Sequence, residues 1–320
     1  MKFNKKLVAG GVLLLSSITL IGCSNGNKDE VLVSMKTGDI TTSQFFGKIK
    51  SNPTVQTLLA NTVISTALED KYKDKVSDKD VEKEYKKIKE QYGEQFSTAL
   101  TSAGLTEATY KEQLRSTLLL DYAVKTSAEK GIKDKDYENA FANYTPSMTV
   151  KFVKTKTKDE AKSVIDELNK GTAVDTLVAK YGTLAKADQT TGELTFDSTT
   201  KDVDSELLSQ ITPMEVDKVS EPIAITDRTT YETVYYVVKV TKKDAKKDSW
   251  KDYKDVLKKY IVDQKSTDKN FSGEVVSKLL KEYKTEVKDK TFKNIIEQYL
   301  NYKANSNKTS GTSSSTSSNK

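Results

Sequence analysis

The chain has 320 residues, one cysteine and no histidine, with 31% charged and 36% hydrophobic residues and a formal net charge of +6. That is enough chain for one large or two modest globular domains. The missing histidine excludes Ser-His-Asp hydrolysis, Cys-His proteolysis and the usual zinc sites, and a single cysteine excludes disulfide stapling within the chain. Lys-Asp and Lys-Glu neighbours spread the charge, so neither a basic block nor nucleic-acid binding is expected.

The N-terminus opens with Lys2, Lys5 and Lys6, followed by an apolar run over residues 7–21. The run falls short of the roughly 20 apolar residues that a spanning helix needs, and its basic lead and small-residue end describe a secretion leader. Leu20-Ile21-Gly22-Cys23 resembles the bacterial lipobox. That resemblance implies cleavage before Cys23, a diacylglycerol on its thiol and acylation of its new amine. Residues 1–22 are therefore read as the leader and 23–30 as a lipidated spacer. The expected location is the outer face of the cell membrane. Removing three leader lysines leaves the mature chain near charge balance.

Residues 31–33 suit a short strand, and Thr41 or Thr42 can cap a helix carrying Phe45, Phe46 and Ile49. Pro53 marks a break before an apolar segment over residues 55–67. Ser77 to Asp80 forms a capping box, after which Val81, Tyr85, Ile88, Tyr92 and Phe96 recur at helical spacing. Thr106 caps a second stripe of Tyr110, Leu114, Leu118 and Tyr122, ended at Gly131. Asp134 opens a third helix, closed by Pro146. Residues 31–145 thus read as a helical segment with aromatic faces.

The pattern changes after Pro146. Alternation over residues 148–155 predicts a strand, and residues 159–169 and 173–181 predict helices. A short strand at 194–196, a helix at 206–211 and a β-branched strand at 234–240 follow. Residues 146–243 therefore read as a small α+β domain. From Ser249 the chain is helical again, with stripes that include Trp250, Tyr253, Leu257, Tyr260 and Ile261, then Val276, Leu279 and Leu280, then Ile295, Ile296 and Tyr299; this segment covers 244–304. Residues 305–320 are Ser, Thr, Asn, Gly and Lys with nothing to bury.

A lipobox, a helical segment, an α+β insert and returning helices, in this order, resemble the PrsA family of extracytoplasmic foldase lipoproteins. Gly104-Leu105-Thr106-Glu107 with Tyr110 to Arg115 is similar to a helix start in SurA-type chaperones. Within the insert, Glu160 to Leu168, Leu177 to Tyr181, Thr191 to Leu194, Val219 to Pro222 and Tyr235 to Val240 resemble pieces of a parvulin-type prolyl isomerase. The resemblance implies an α+β fold in which a SurA-like helical chaperone module carries an inserted parvulin-like domain. It also implies a membrane-anchored foldase and chaperone acting on unfolded secreted proteins, without cofactor or metal. The two parvulin histidines fall on Phe152 and Tyr236, and the pocket acid on Glu193. With both imidazoles replaced, isomerase activity stays open at this point. Leu207, Leu208, Ile211 and Met214 are the nearest apolar counterparts of the proline pocket. Tyr85, Tyr92, Tyr110, Tyr122, Trp250 and Tyr253 are candidates for client contact, and aromatic helix faces would also suit a homodimer. The alternative is a solute-binding or surface-interaction lipoprotein without chaperone activity.

Overall fold

A computed structural model describes residues 29–182, 192–201, 203–226 and 231–302. Cys23, the leader and the polar tail from 305 lie outside these residues, as does Thr191. The described chain is α+β and forms two compact units. One comprises residues 132–261; the other combines 29–131 with 262–302. These limits fall inside the helical segments on either side of 146–243. Tyr137, Tyr144, Leu257 and Ile261 share one buried cluster that joins the flanking helical stretches to each other, and both stretches fall in the unit of the sheet.

The unit built from both ends of the chain begins with a hairpin, β1 (Val31–Met35) and β2 (Gly38–Thr41). Thr41 then caps α1 (Thr42–Ile49) through a reciprocal capping box with Gln44. Pro53 opens α2 (Pro53–Tyr72) at its first turn, where a missing N–H costs nothing. Ser77 and Asp80 cap α3 (Asp78–Tyr92) in a second reciprocal box. The stripe that reads as one helix from Val81 to Phe96 is broken at Gly93, whose φ of +55° suits glycine, and Phe96 belongs to α4 (Gln95–Ser102). Thr106 caps α5 (Glu107–Lys130). Apolar residues of these helices meet α11 (Lys269–Glu282) in one core that includes Leu68, Tyr85, Phe96, Leu119 and Leu280. Arg115 ties α5 to the end of α2: it makes a two-pronged pair with Glu69 (3.0 and 2.9 Å) and donates to the carbonyls of Lys73 and Val76. The helix α12 (Lys293–Leu300) is pinned back when Ser277 donates to the Leu300 carbonyl.

The second unit starts with α6 (Asp134–Ala142) and continues through β3 (Met148–Thr155), α7 (Lys158–Asn169) and α8 (Val174–Tyr181). It proceeds through β4 (Glu193–Phe196), α9 (Ser205–Ile211), β5 (Ile223–Thr226) and β6 (Thr233–Lys243). The helix α10 (Lys254–Thr267) carries the chain from this unit into the other. The four strands form an antiparallel sheet in the order β4-β3-β6-β5. Alternation gives the sheet two faces. One buries Val153 and Val237 beneath α7 and α8 with Val164 and Leu177. The other buries Val150, Val238, Val240, Ile223 and Ile225 against Leu207 and Ile211 of α9.

Candidate functional site

The strand register determines what can share a pocket. Phe152 on β3 stands opposite Val238 on β6, and Tyr236 stands opposite Lys154. Phe152 and Tyr236 are thus diagonal neighbours on the α9 face, with ring centroids 5.7 Å apart and planes inclined by 47°. Both are half-buried. Leu194, Val203, Leu208, Met214 and Val234 are likewise half-buried and pack against the same cluster, while Leu207 and Ile211 are closed into its floor. Of the four apolar residues expected near a proline pocket, Leu207 and Ile211 are buried in this cluster and Leu208 and Met214 half-buried, with the Met214 carbonyl held by Lys243 at the far end of β6 from Tyr236.

Two backbone devices hold the aromatic pair. The Phe152 N–H donates to the Gly192 carbonyl at 2.6 Å, and a Cβ on Gly192 would stand 2.3 Å from the Phe152 carbonyl oxygen. Gly192 also has φ +53°, so this tight approach requires glycine. On the other side, Ser220 Oγ accepts from the Val238 N–H at 3.0 Å, and the Ser220 N–H donates to the Val238 carbonyl at 2.8 Å. Val219 and Ser220 thereby pair with β6 on the near side of Ile223, the first ladder residue of β5, with Pro222, which has no N–H, between them.

Glu193 does not join this pair. It is exposed on the edge strand β4 opposite Lys151, whose ammonium pairs with Asp175 of α8. Residues directly opposite share a face, so Glu193 stands on the helix side and Leu194 takes the pocket side. Charges near Tyr236 include Lys154, whose Nζ lies 5.8 Å from the ring centre, and Asp204, which caps α9. Burial, reinforced by Asp204, raises the Tyr236 hydroxyl above the ordinary tyrosine range. At neutral pH it is a neutral phenol, able to donate a hydrogen bond and unable to act as a base. The arrangement is a half-buried aromatic pair with one polar tip on an apolar cluster, chemically suited to contact with a ring or an aliphatic side chain. Among the described residues no group of three or more acidic or cysteine side chains could hold a metal ion.

The remaining aromatic candidates separate sharply. Tyr85 is only 3% exposed, and its ring is occupied by Phe96 at 5.5 Å, Tyr110 at 6.3 Å and Lys111 Nζ at 4.3 Å. Tyr110 is half-buried in the same group, and Tyr122 meets Tyr72 edge-on at 5.6 Å. Tyr92, 38% exposed, is the one of these four that opens to solvent. In the other unit, Trp250 lies flat on Tyr137 at 4.6 Å, while Tyr253 stacks on Phe141 and leans on Tyr144. These stacks build the cluster that holds α6 to the start of α10. The exposed apolar residues of the hairpin β1–β2, of which sequence reasoning took only residues 31–33 as a short strand, include Leu32, Met35 and Ile40. The unbroken Val31-Leu32-Val33 run was the available signal, because a strand with one covered face alternates.

No protein-family model matches the chain. Similarity to individual proteins is extensive. The chain is 37% identical over 298 residues to the foldase protein PrsA of Streptococcus sanguinis, covering 93% of this chain and 88% of that one. It matches the foldase protein PrsA of Streptococcus pneumoniae at 37%, over 93% of this chain and 95% of the relative. The crystal structure of the S. pneumoniae foldase protein PrsA superimposes with a TM-score of 0.77 at 36% identity, covering 84% of this chain and 99% of that one. The Lactococcus lactis foldase protein PrsA gives 0.65 at 29% identity, over 85% and 99%. Agreement of sequence and fold along nearly the whole length of these relatives makes the chain a member of the PrsA foldase family.

Proposed function

We propose that this foldase works from a lipid anchor on Cys23, outside the cytoplasm, on polypeptides that have just been secreted, and that its parvulin-like unit holds client side chains rather than turning over prolyl bonds. The foldase and chaperone function follows from the family, which does not favour a solute-binding or surface-interaction lipoprotein. The holding role rests on one observation: Phe152, Leu194, Leu208 and Tyr236 stay half-buried on a closed apolar cluster and so form an apolar rim to it. Such a rim gains free energy from any apolar segment an unfolded chain exposes, at roughly 25 cal/mol per Å² removed from water. It reads no strict sequence, which is what a foldase with many clients needs.

Prolyl isomerisation requires a barrier near 18–20 kcal/mol to be lowered by donors placed against a twisted amide. Phe152 supplies no donor, and Glu193 stands on the far face of the sheet. Tyr236 alone offers a hydroxyl. In this reading the unit isomerises at the uncatalysed rate. No helix among the described residues is long and apolar enough to cross a membrane, and a thioether-linked diacylglycerol with an acylated amine would hold the chain stably by itself.

The decisive experiment is a refolding assay in which an unfolded secreted enzyme is diluted with and without the protein. Suppressed aggregation at stoichiometric levels is expected, and its absence sinks the holding role. A proline-peptide assay, run alongside on wild type, Tyr236→Ala and Glu193→Ala, should give background rates in all three; catalysis lost in Tyr236→Ala would refute the reading of the rim as a passive holder.

A further inference from the structure

The hairpin β1–β2 and the start of α1 expose Val31, Leu32, Val33, Met35, Ile40, Phe45 and Phe46, each between 37% and 51%. Every residue of β1 is exposed, so neither face of this two-stranded ribbon is covered by the described chain. These side chains offer roughly 600 Å² of apolar surface, at the upper end of what a monomeric soluble protein leaves open. A standard protein interface takes about 800 Å² from each partner, more than the patch supplies. A rigid partner would moreover cover one face of the ribbon and leave the other wet.

We propose that this patch seats in the headgroup–acyl boundary of the lipid bilayer, as a second membrane contact beside the lipid on Cys23. The proposal rests on the reading of Cys23 as the lipidated residue. Residues 24–30 separate Cys23 from the hairpin and span at most about 25 Å when fully extended. The bilayer is therefore always within reach of the patch, at an effective concentration no freely diffusing partner matches. A fluid boundary can also wrap both faces of the ribbon. The headgroup level still supplies water to the unpaired strand edge and to the Lys36-Thr37 turn, which the hydrocarbon core would not. Charges near the patch are mixed, with Asp29, Glu30 and Asp39 beside Lys36, Lys48 and Lys50. The contact is accordingly apolar in origin and insensitive to salt.

The test uses the mature chain from residue 23 with Cys23→Ser, which carries no lipid, and flotation on phosphatidylcholine vesicles with and without phosphatidylglycerol. The wild-type patch should float the protein on both vesicle types, with little change between low and high salt. The exposed pair Leu32→Ser/Phe45→Ser should lower partitioning about tenfold or more, with the thermal midpoint preserved, and Val33→Ser/Met35→Ser should act in the same way. Equal flotation of wild type and variants, or none by either, overturns the proposal. So does a concentration-dependent dimer in sedimentation that the variants abolish, since a second copy then covers the patch. The anchor is read separately, by the mass of Cys23 in protein extracted from cell membranes. An unmodified Cys23 with flotation intact sinks the anchor and leaves the lipid contact standing; a lipidated Cys23 with no flotation does the reverse.

Discussion

The aromatic group of Tyr85, Phe96 and Tyr110 and the pair of Phe152 and Tyr236 are made of the same residue types, yet Tyr85 and Phe96 are fully buried while both members of the pair stay half-buried. In the helical unit the stripes of α3, α4 and α5 turn toward one another, so each ring meets another edge-on at 5.5–5.7 Å, with Tyr85 and Tyr110 tilted at 6.3 Å. On the sheet, α9 is too short to roof the face it packs on. Val238 and Ile223 are buried in the cluster with Leu207 and Ile211, whereas Phe152 and Tyr236 are half-buried. An aromatic stripe on a helix thus says that a face is apolar; whether that face is available depends on what the chain lays over it.

Truncation should separate the two groups most clearly. Phe96→Ala is expected to destabilise the helical unit by about 3–4 kcal/mol, since it empties a buried site with three edge-on neighbours, Tyr85, Tyr92 and Tyr110. Denaturant unfolding should show this loss, while the molecules that stay folded suppress client aggregation as before. Arg115→Ala should cost about 1 kcal/mol, because it removes a two-pronged but partly exposed pair with Glu69 and the donors to the carbonyls of Lys73 and Val76. Phe152→Ala inverts the balance. Its half-buried ring should cost only about 1–2 kcal/mol, but aggregation suppression should fall several-fold. An unchanged chaperone titration for this variant would place client binding elsewhere.

Much of the architecture was legible in local chemistry. The caps at Thr41, Ser77 and Thr106 formed as their side chains dictate, and the alternation of Met148, Val150 and Phe152 marked β3. Gly93 was harder, because helical periodicity continues across it to Phe96 and only a positive φ reveals the break. The strand β5 escaped because four residues between Pro222 and the next segment carry no turn signal of their own. In the site, the positions of Phe152 and Tyr236 followed from their places on two adjacent strands. The side taken by Glu193 was written in its neighbours: apolar Leu194 and Phe196 must face inward, which turns Glu193 outward. What no pattern carries is the identity of the covering element, and that decides which of Tyr85 and Tyr92 meets water.

The smallest effect tests how the end of the chain is held in the helical unit. Asp289 accepts from the Thr291 N–H and pairs with Lys50 at 3.0 Å, which holds its carboxyl down at about 2. A depressed carboxylate contributes stability that is fully present above its unfolded value near 3.8 and lost as pH falls through its folded value. Asp289→Asn keeps an oxygen for the Thr291 N–H and gives up the ion pair. The melting temperatures of wild type and variant should therefore differ slightly at neutral pH, as expected for a solvent-exposed pair, and converge as pH drops from about 4 to 2. High salt at pH 7 should narrow the same gap. A difference that persists at pH 2 would mean that Asp289 acts through packing or capping geometry, with its charge irrelevant.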